Sequence, residues 1–280
     1  MNERLRRSLL YVPASSEPML RKAQGRGADV LIVDLEDGVL PEAKPTARSR
    51  AQDLWPELAA GRSEVLLRIN AAGTPWHGED LETAARIHPA AVVVPKCEEL
   101  RVIDAIGRRL MGLPLFLMVE TARGVLACAE LARAPLVAGL VFGAADFRAS
   151  TRAVADPEES ELLLARSSLV LAARAAGVEA IDTPCFDYRD EAGLERSARR
   201  ARALGFDGKT AIHPGQLPAI HSVFSPTAAE VARAQRVIAA LDEAAAAGRG
   251  VAGLDGEMLE ALHGEEARRT LARARLAGLL

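Results

Sequence analysis

Two carboxylates stand where buried chain gives way to polar chain. Glu120 closes the apolar run LPLFLMVE (113–120), and Asp146 ends GLVFGAAD (139–146). A carboxylate at the edge of a buried sheet is costly unless something pairs with it. If the two close neighbouring strands, they come within a few ångströms of each other and one is driven to protonate. A divalent cation resolves that conflict. Mg²⁺ takes one or two carboxylates, keeps several waters and accepts substrate oxygens. No His/Cys cluster competes for a softer metal. The alternative reading is structural: an ion pair from Glu120 to Arg123 or Arg148.

Arg68 lies inside the apolar run EVLLRIN (64–70), where a guanidinium needs an anion. Its planar fork suits a substrate carboxylate, or a salt bridge to Glu36 or Asp37 at the end of VLIVDLED. Lys96 follows Pro95. A Schiff base is one chemistry for such a lysine, but it makes the carboxylate pair redundant, so Lys96 is assigned to positioning or to a salt bridge with the acids at 36 and 37. His213, in GKTAIHPGQ, is a general base or a helix cap, and Pro214 at the next position favours the cap.

These residues need a frame that gathers strand ends. Eight β-rich apolar runs recur at 8–13, 30–37, 64–70, 90–96, 113–120, 137–147, 179–186 and 208–214, with Ala/Leu/Arg/Glu-rich segments between them. Near-continuous apolar strands alternating with helices predict a parallel sheet covered on both faces. Eight such units match the (β/α)₈ TIM barrel, whose chemistry sits at the C-terminal ends of its strands. Glu36, Asp37, Arg68, Asn70, Lys96, Glu120, Asp146, Asp182, Thr183, Lys209 and His213 all fall at or near those ends. An open doubly wound sheet is the competing architecture, but no GxGxxG follows the first strand. The catalytic barrel domain is expected over 1–226. A C-terminal helical arm is expected over 227–280, with a flexible Gly-rich link in AAGRGVAGLDG.

The chain has 280 residues, 49% of them apolar, and a net charge of −3. That charge offers no general attraction to nucleic acid or to anionic membranes, and no apolar run approaches the ~20 residues of a membrane span. The basic start MNERLRRSLLYVP is too short in apolar length for a secretory signal. Cys97, Cys128 and Cys185 lie far apart with no CxxC pair, against a disulfide framework. The expectation is a soluble cytoplasmic protein.

Taken together and in order, the motifs RSLLYVPASSEPMLRKA, GADVLIVDLEDGV, LLRIN, VVVPK, VETARGV, GAADF, LLARSSLVLAARAAGVEAID and GFDGKTAIHPGQ resemble the HpcH/HpaI aldolase/citrate lyase family. The likeness covers nearly the whole chain and is strongest to the citrate lyase β-subunit-like branch, which includes malyl-CoA and citramalyl-CoA lyases. It implies a Mg²⁺-binding (β/α)₈ barrel that forms a homotrimer or hexamer. Glu120 and Asp146 match the metal ligands, with Glu120 also beside the substrate. Arg68 matches the substrate-binding arginine, and Glu36 and Asp37 match an acidic pair near the metal's waters. The implied activity is carbon–carbon cleavage of a 3-hydroxyacyl thioester carried on CoA or an acyl carrier. Thioester hydrolysis, or a subunit active only with its carrier, is the alternative.

Three departures stand out. Pro13-Ala14 replaces a Pro-Gly, Arg148 follows the second metal ligand closely, and Gly256-Glu257-Met258-Leu259-Glu260 replaces a motif ending in Asp. In the resembling enzymes that Asp reaches a neighbouring subunit's site. Glu260 is therefore the candidate acid or base of the arm, and Glu36 or Asp37 that of the barrel.

Overall fold

The computed structural model describes residues 4–280. Eight parallel strands close on one another in chain order: β1 (Ser8–Pro13), β2 (Val30–Asp34), β3 (Glu64–Arg68), β4 (Ala91–Val94), β5 (Leu115–Val119), β6 (Val137–Phe142), β7 (Glu179–Asp182) and β8 (Gly208–Ala211). Helices α1 (Glu17–Ala23), α2 (Lys44–Ala59), α3 (His77–Ile87), α4 (Leu100–Leu110) and α5 (Ala122–Leu131) connect the first six strands. The later connections use α6 (Ala144–Thr151), α7 (Leu163–Ala176) and α8 (Glu191–Leu204), and α9 (Leu217–Phe224) follows the last strand. The open-sheet alternative is excluded by the pairing of β1 with β8, Ser8 opposite Lys209 and Leu10 opposite Ala211.

The strands form where they do because both faces of each are covered. Every residue of β2, β4 and β5 is buried. Inside the barrel, Leu9, Ile32, Leu66, Val93, Phe116, Met118, Val141 and Ile181 pack into one cluster against Tyr11. Burying each such side chain contributes ~1.5–3 kcal/mol. Gly139 makes room for the Phe116 ring, which a Cβ there would strike.

The last seam is held differently. β7 and β8 share only two register pairs, Ile181 with Gly208 and Asp182 with Lys209. Lys209 Nζ lies 2.5 Å from Asp182 Oδ2, and Arg166 Nε donates to Asp182 Oδ1 at 2.9 Å, all three side chains being fully buried. Burial alone raises the Asp182 pKa, but Lys209 and Arg166 outweigh it and hold the carboxyl below its ordinary range. Asp182 and Lys209 are thus consumed by barrel closure. Gly208 serves the seam on the other side of β8, with β1, since a Cβ on it would run into the backbone carbonyls of Arg6 and Arg7.

The strands end earlier than their apolar runs. Glu36, Lys96 and Glu120 lie just beyond β2, β4 and β5, and Asp146 sits in the first turn of α6.

The described chain divides into two compact units, residues 6–221 and residues 222–280 with 4–5, so the division falls within α9. The second unit holds α10 (Ala228–Ala246), β9 (Ala252–Leu254), β10 (Glu257–Leu259) and α11 (Ala261–Leu276). Thr227 and Glu230 form a capping box at the start of α10. The second half of the segment expected as a flexible link belongs to an antiparallel hairpin, Leu259 opposite Ala252 and Glu257 opposite Leu254. Its two turn residues, Asp255 and Gly256, have φ of 54° and 85°, as a two-residue primed turn requires. Ala234, Val237, Ala244, Ala252, Leu259 and Ala267 give this unit a small core of its own. Among the described residues no helix is long and apolar enough to cross a membrane.

Candidate active site

Glu120 and Lys96 are joined through the chain itself. The backbone N–H of Lys96 donates to Glu120 Oε1 at 2.8 Å, with Lys96 in the left-handed region at φ 49°. Gly143, just after β6, lies against the other carboxylate oxygen: a Cβ there would stand 2.5 Å from Glu120 Oε2. Glu120 is 2% exposed. Burial, reinforced by the carboxylates of Glu36 and Asp146 and opposed by Lys96, pushes its pKa up to about 8. Neither arginine considered as its partner takes that place. Arg148 pairs with Glu161 at 2.6 Å, and Arg123 lies 3.6 Å from Glu99.

The Lys96 ammonium stands among three acids, 2.9 Å from Glu36 Oε1, 3.7 Å from Asp146 Oδ2 and 4.0 Å from Asp37 Oδ2. Burial works to lower its pKa, but the hydrogen bond to Glu36 and the surrounding carboxylates win and raise it above the ordinary lysine value. A lysine held protonated among carboxylates is poorly suited to act as a nucleophile.

Arg68, the last residue of β3, turns its fork onto Asp34 at the end of β2. Nε and Nη2 donate to the two Asp34 oxygens, each at 2.7 Å. The remaining nitrogen, Nη1, is 2.9 Å from Glu36 Oε2, and the guanidinium lies 4.6 Å over the Tyr11 ring. The sequence reading offered Glu36 or Asp37 as the internal partner; Glu36 is one, and Asp34, which it did not offer, holds the fork. Glu36 Oε2 lies close to Arg68 but out of line for a hydrogen bond, and is a buried oxygen without a donor. Burial raises the Glu36 pKa against the pull of Arg68.

The turn after β2 is fixed from behind. Lys44 Nζ donates to the carbonyls of Leu35 and Glu36 and to Asn70 Oδ1. Asn70 in turn donates through its backbone N and Nδ2 to Asp80 Oδ2. Thr183, beyond β7, accepts from the N–H of Ala144 and so anchors the start of the helix that carries Asp146. Sequence reasoning did not find Lys44, Asp80 or Gly143. His213 is a cap: its Nδ1 accepts from the N–H of Gly215 at 3.1 Å.

Glu36, Asp37, Lys96, Glu120 and Asp146 therefore form one acidic cluster around one ammonium. The inner members, Glu36 and Glu120, are buried; Asp37 and Asp146 are open, with side chains 63% and 39% exposed. Its donors are all oxygens. Among the described residues no three His, Cys, Asp or Glu are arranged to hold an ion unaided. One or two carboxylates completed by water and substrate are the donor set of Mg²⁺. Four carboxylates around one ammonium, with burial and acidic neighbours holding Glu120 above its ordinary pKa, mark a site short of positive charge.

Glu260 lies in the other unit. It is the N-cap of α11: its backbone carbonyl accepts from the N–H of His263 at 3.0 Å, and its own N–H donates to His263 Nδ1 at 2.9 Å.

The HpcH/HpaI aldolase/citrate lyase family pattern matches residues 7–214, and that of the carbon–carbon bond lyases of the TIM-barrel fold matches residues 163–279. The (3S)-malyl-CoA thioesterase of Cereibacter sphaeroides is 39% identical, over 96% of this chain and 94% of its own. The citrate lyase subunit beta of Escherichia coli is 36% identical, over 99% and 95%. The crystal structure of CitE from Mycobacterium tuberculosis in complex with magnesium, acetoacetate and coenzyme A superposes with a TM-score of 0.82, at 34% identity over 96% of this chain and 98% of that one. The chain belongs to the HpcH/HpaI aldolase/citrate lyase family and is one of its carbon–carbon lyase enzymes.

Proposed function

We propose that this enzyme cleaves, or in reverse forms, the carbon–carbon bond of a 3-hydroxyacyl thioester such as malyl-CoA, citramalyl-CoA or a citryl thioester. The products are a 2-oxo acid and an acyl thioester. The observation that carries the reading is the acidic cluster at the mouth of the barrel, with a fixed arginine beside it. Glu120 and Asp146 are the residues assigned to hold Mg²⁺, which when bound supplies Lewis-acid polarisation of the substrate oxygen that becomes the ketone.

The remaining work falls to the chain. Arg68, its fork already locked, binds the substrate's carboxylate and offsets charge at the reacting centre. Glu36 or Asp37 takes the hydroxyl proton as the bond between the hydroxyl-bearing carbon and the carbon beside the thioester breaks. The electron pair passes to the thioester enolate, whose carbon then takes up a proton. Glu260 is assigned as the acid for that step, brought by the arm of a neighbouring copy in a homotrimer or hexamer. A closing arm also limits exposure of the enolate to water.

A second reading rests on the likeness to the malyl-CoA thioesterase: the same machinery followed by, or replaced with, attack of water on the thioester. Incubating (3S)-malyl-CoA with the protein and Mg²⁺ separates the two. Glyoxylate and acetyl-CoA are expected; free malate and CoA identify a hydrolase. Activity that appears only on an acyl-carrier thioester identifies a carrier-dependent subunit.

A further inference from the structure

Four donors converge on the carboxylate of Asp34. Oδ1 accepts from Arg68 Nε at 2.7 Å and from the N–H of Glu36 at 2.8 Å. Oδ2 accepts from Arg68 Nη2 at 2.7 Å and from the N–H of Gly38 at 2.9 Å. Asp34 is 2% exposed and stands directly opposite Arg68 in the β2–β3 register. Gly38 is what allows the turn to come so close, since a Cβ on it would lie 2.6 Å from Asp34 Oδ2. One buried side chain thus grips the arginine on one side and the turn bearing Glu36 and Asp37 on the other.

We propose that Asp34 is the positioning residue of this site, setting the aim of Arg68 and the placement of the Glu36–Asp37 turn in a single clamp. The proposal rests on the reading of Arg68 as the contact for the substrate's carboxylate. A guanidinium on a flexible stem loses rotamer freedom each time it binds an anion. Asp34 removes that freedom beforehand by occupying Nε and Nη2, and it leaves the Nη1 edge facing the acids of the site. The clamp has an electrostatic cost, because a carboxylate at Arg68 already neutralises part of the charge a substrate anion would meet. The two effects have opposite signs. If Asp34 is only a counter-charge, removing its charge strengthens anion binding. If it is a positioning residue, removing the clamp weakens anion binding.

The test is Asp34→Asn, titrated calorimetrically with pyruvate or oxaloacetate in the presence of Mg²⁺, and with Mg²⁺ alone. Affinity for the 2-oxo acid is expected to fall roughly tenfold to a hundredfold, as for a misplaced binding group, with KM for the thioester rising in step. Mg²⁺ affinity is expected to stay at the wild-type value. In an Arg68→Lys background the same change should add little, because both act through one guanidinium. The Arg68 Nε–H resonance, identified by its loss in Arg68→Lys, should shift or broaden in Asp34→Asn. Affinity equal to or tighter than wild type, or losses that add in full, overturns the proposal. If Asp34→Asn does not fold, Asp34→Glu keeps the charge but displaces the fork; weakened 2-oxo-acid binding in that folded variant supports the clamp and unchanged binding overturns it. Should the wild-type protein bind no 2-oxo acid, the functional reading fails by itself. The resonance then decides the clamp alone, and an Arg68 signal unmoved in Asp34→Asn or Asp34→Glu overturns it.

Discussion

Lys96 Nζ lies 2.9 Å from Glu36 Oε1. That contact joins the buried half of the acidic cluster to an ammonium that also faces the open half, at Asp146 and Asp37. The lysine is a resident counter-ion, standing where positive charge is in deficit.

Lys96→Met should therefore have two effects of opposite sense. Without a divalent cation the variant is expected to melt at a lower temperature, since the acids lose their counter-ion. Its Mg²⁺ affinity is expected to rise roughly tenfold, a value that allows for screening at a partly open site. Calorimetric titration measures this, and weaker Mg²⁺ binding would show that the lysine helps to build the site. Borohydride in the presence of a 2-oxo acid should trap no adduct on the wild-type protein.

Glu120 makes stability depend on pH. Its folded pKa of about 8 lies above the ordinary value of 4.5, so the folded state holds the proton more tightly than the unfolded state. Stability is then lost as pH rises from about 4.5 to about 8. Melting curves in chelator should show that decline, and Glu120→Gln should flatten it, the difference between the two proteins isolating this one group. Glu120→Gln and Asp146→Asn should each abolish Mg²⁺ binding with the fold intact. Wild-type magnesium affinity in either would remove that residue from the ligand set.

Gly143→Ala tests how closely the Glu120 carboxylate is walled in. The new methyl would stand 2.5 Å from both Cβ and Oε2 of Glu120, so the acid must move. Mg²⁺ affinity and turnover are expected to fall together, by roughly a hundredfold in kcat/KM. Full activity in the variant would mean that the carboxylate has room to spare.

The arm is tested by removal. Deleting residues 250–280 should cut turnover far more than Mg²⁺ binding. Glu260→Gln separates chemistry from capping. A purely structural role at the start of α11 shows as a lower melting temperature with turnover unchanged. Loss of proton transfer shows as a fall in kcat of ~100-fold or more that ionic strength does not restore.

The barrel was legible because its strands are buried on both faces and so read as nearly unbroken apolar runs. Glu36, Glu120 and Asp146 were legible for the complementary reason, each being the first acid after such a run. Asp34 was visible but not interpreted. It and Arg68 are buried charges at the ends of β2 and β3, and two such charges in consecutive strands ask to be paired. Only the register, which sets residue 34 opposite residue 68, turns that hint into a contact. The salt bridge expected between Lys96 and the acids at 36 and 37 is present; its approach to Asp146 was not legible, because that acid lies on a distant stretch of chain and no local pattern encodes the convergence. The hairpin after α10 was missed through its glycines, although Asp255-Gly256 between short apolar stretches is itself a turn signal.

The seam between the first and last strands carries a consequence for how the chain reaches its folded state. Its partners, Ser8 with Lys209 and Leu10 with Ala211, are separated by nearly the whole barrel sequence, and contacts of such long range form late and slowly. Until they form, β1 and β8 are unpaired edges open to other chains. Gly208 is the residue whose missing side chain lets that gap shut. A side chain there would leave Glu120 and Asp146 in place beyond β5 and in α6, yet prolong the life of an open curl. Its harm would appear during biosynthesis, as insoluble material and lowered yield, before any purified protein could be assayed.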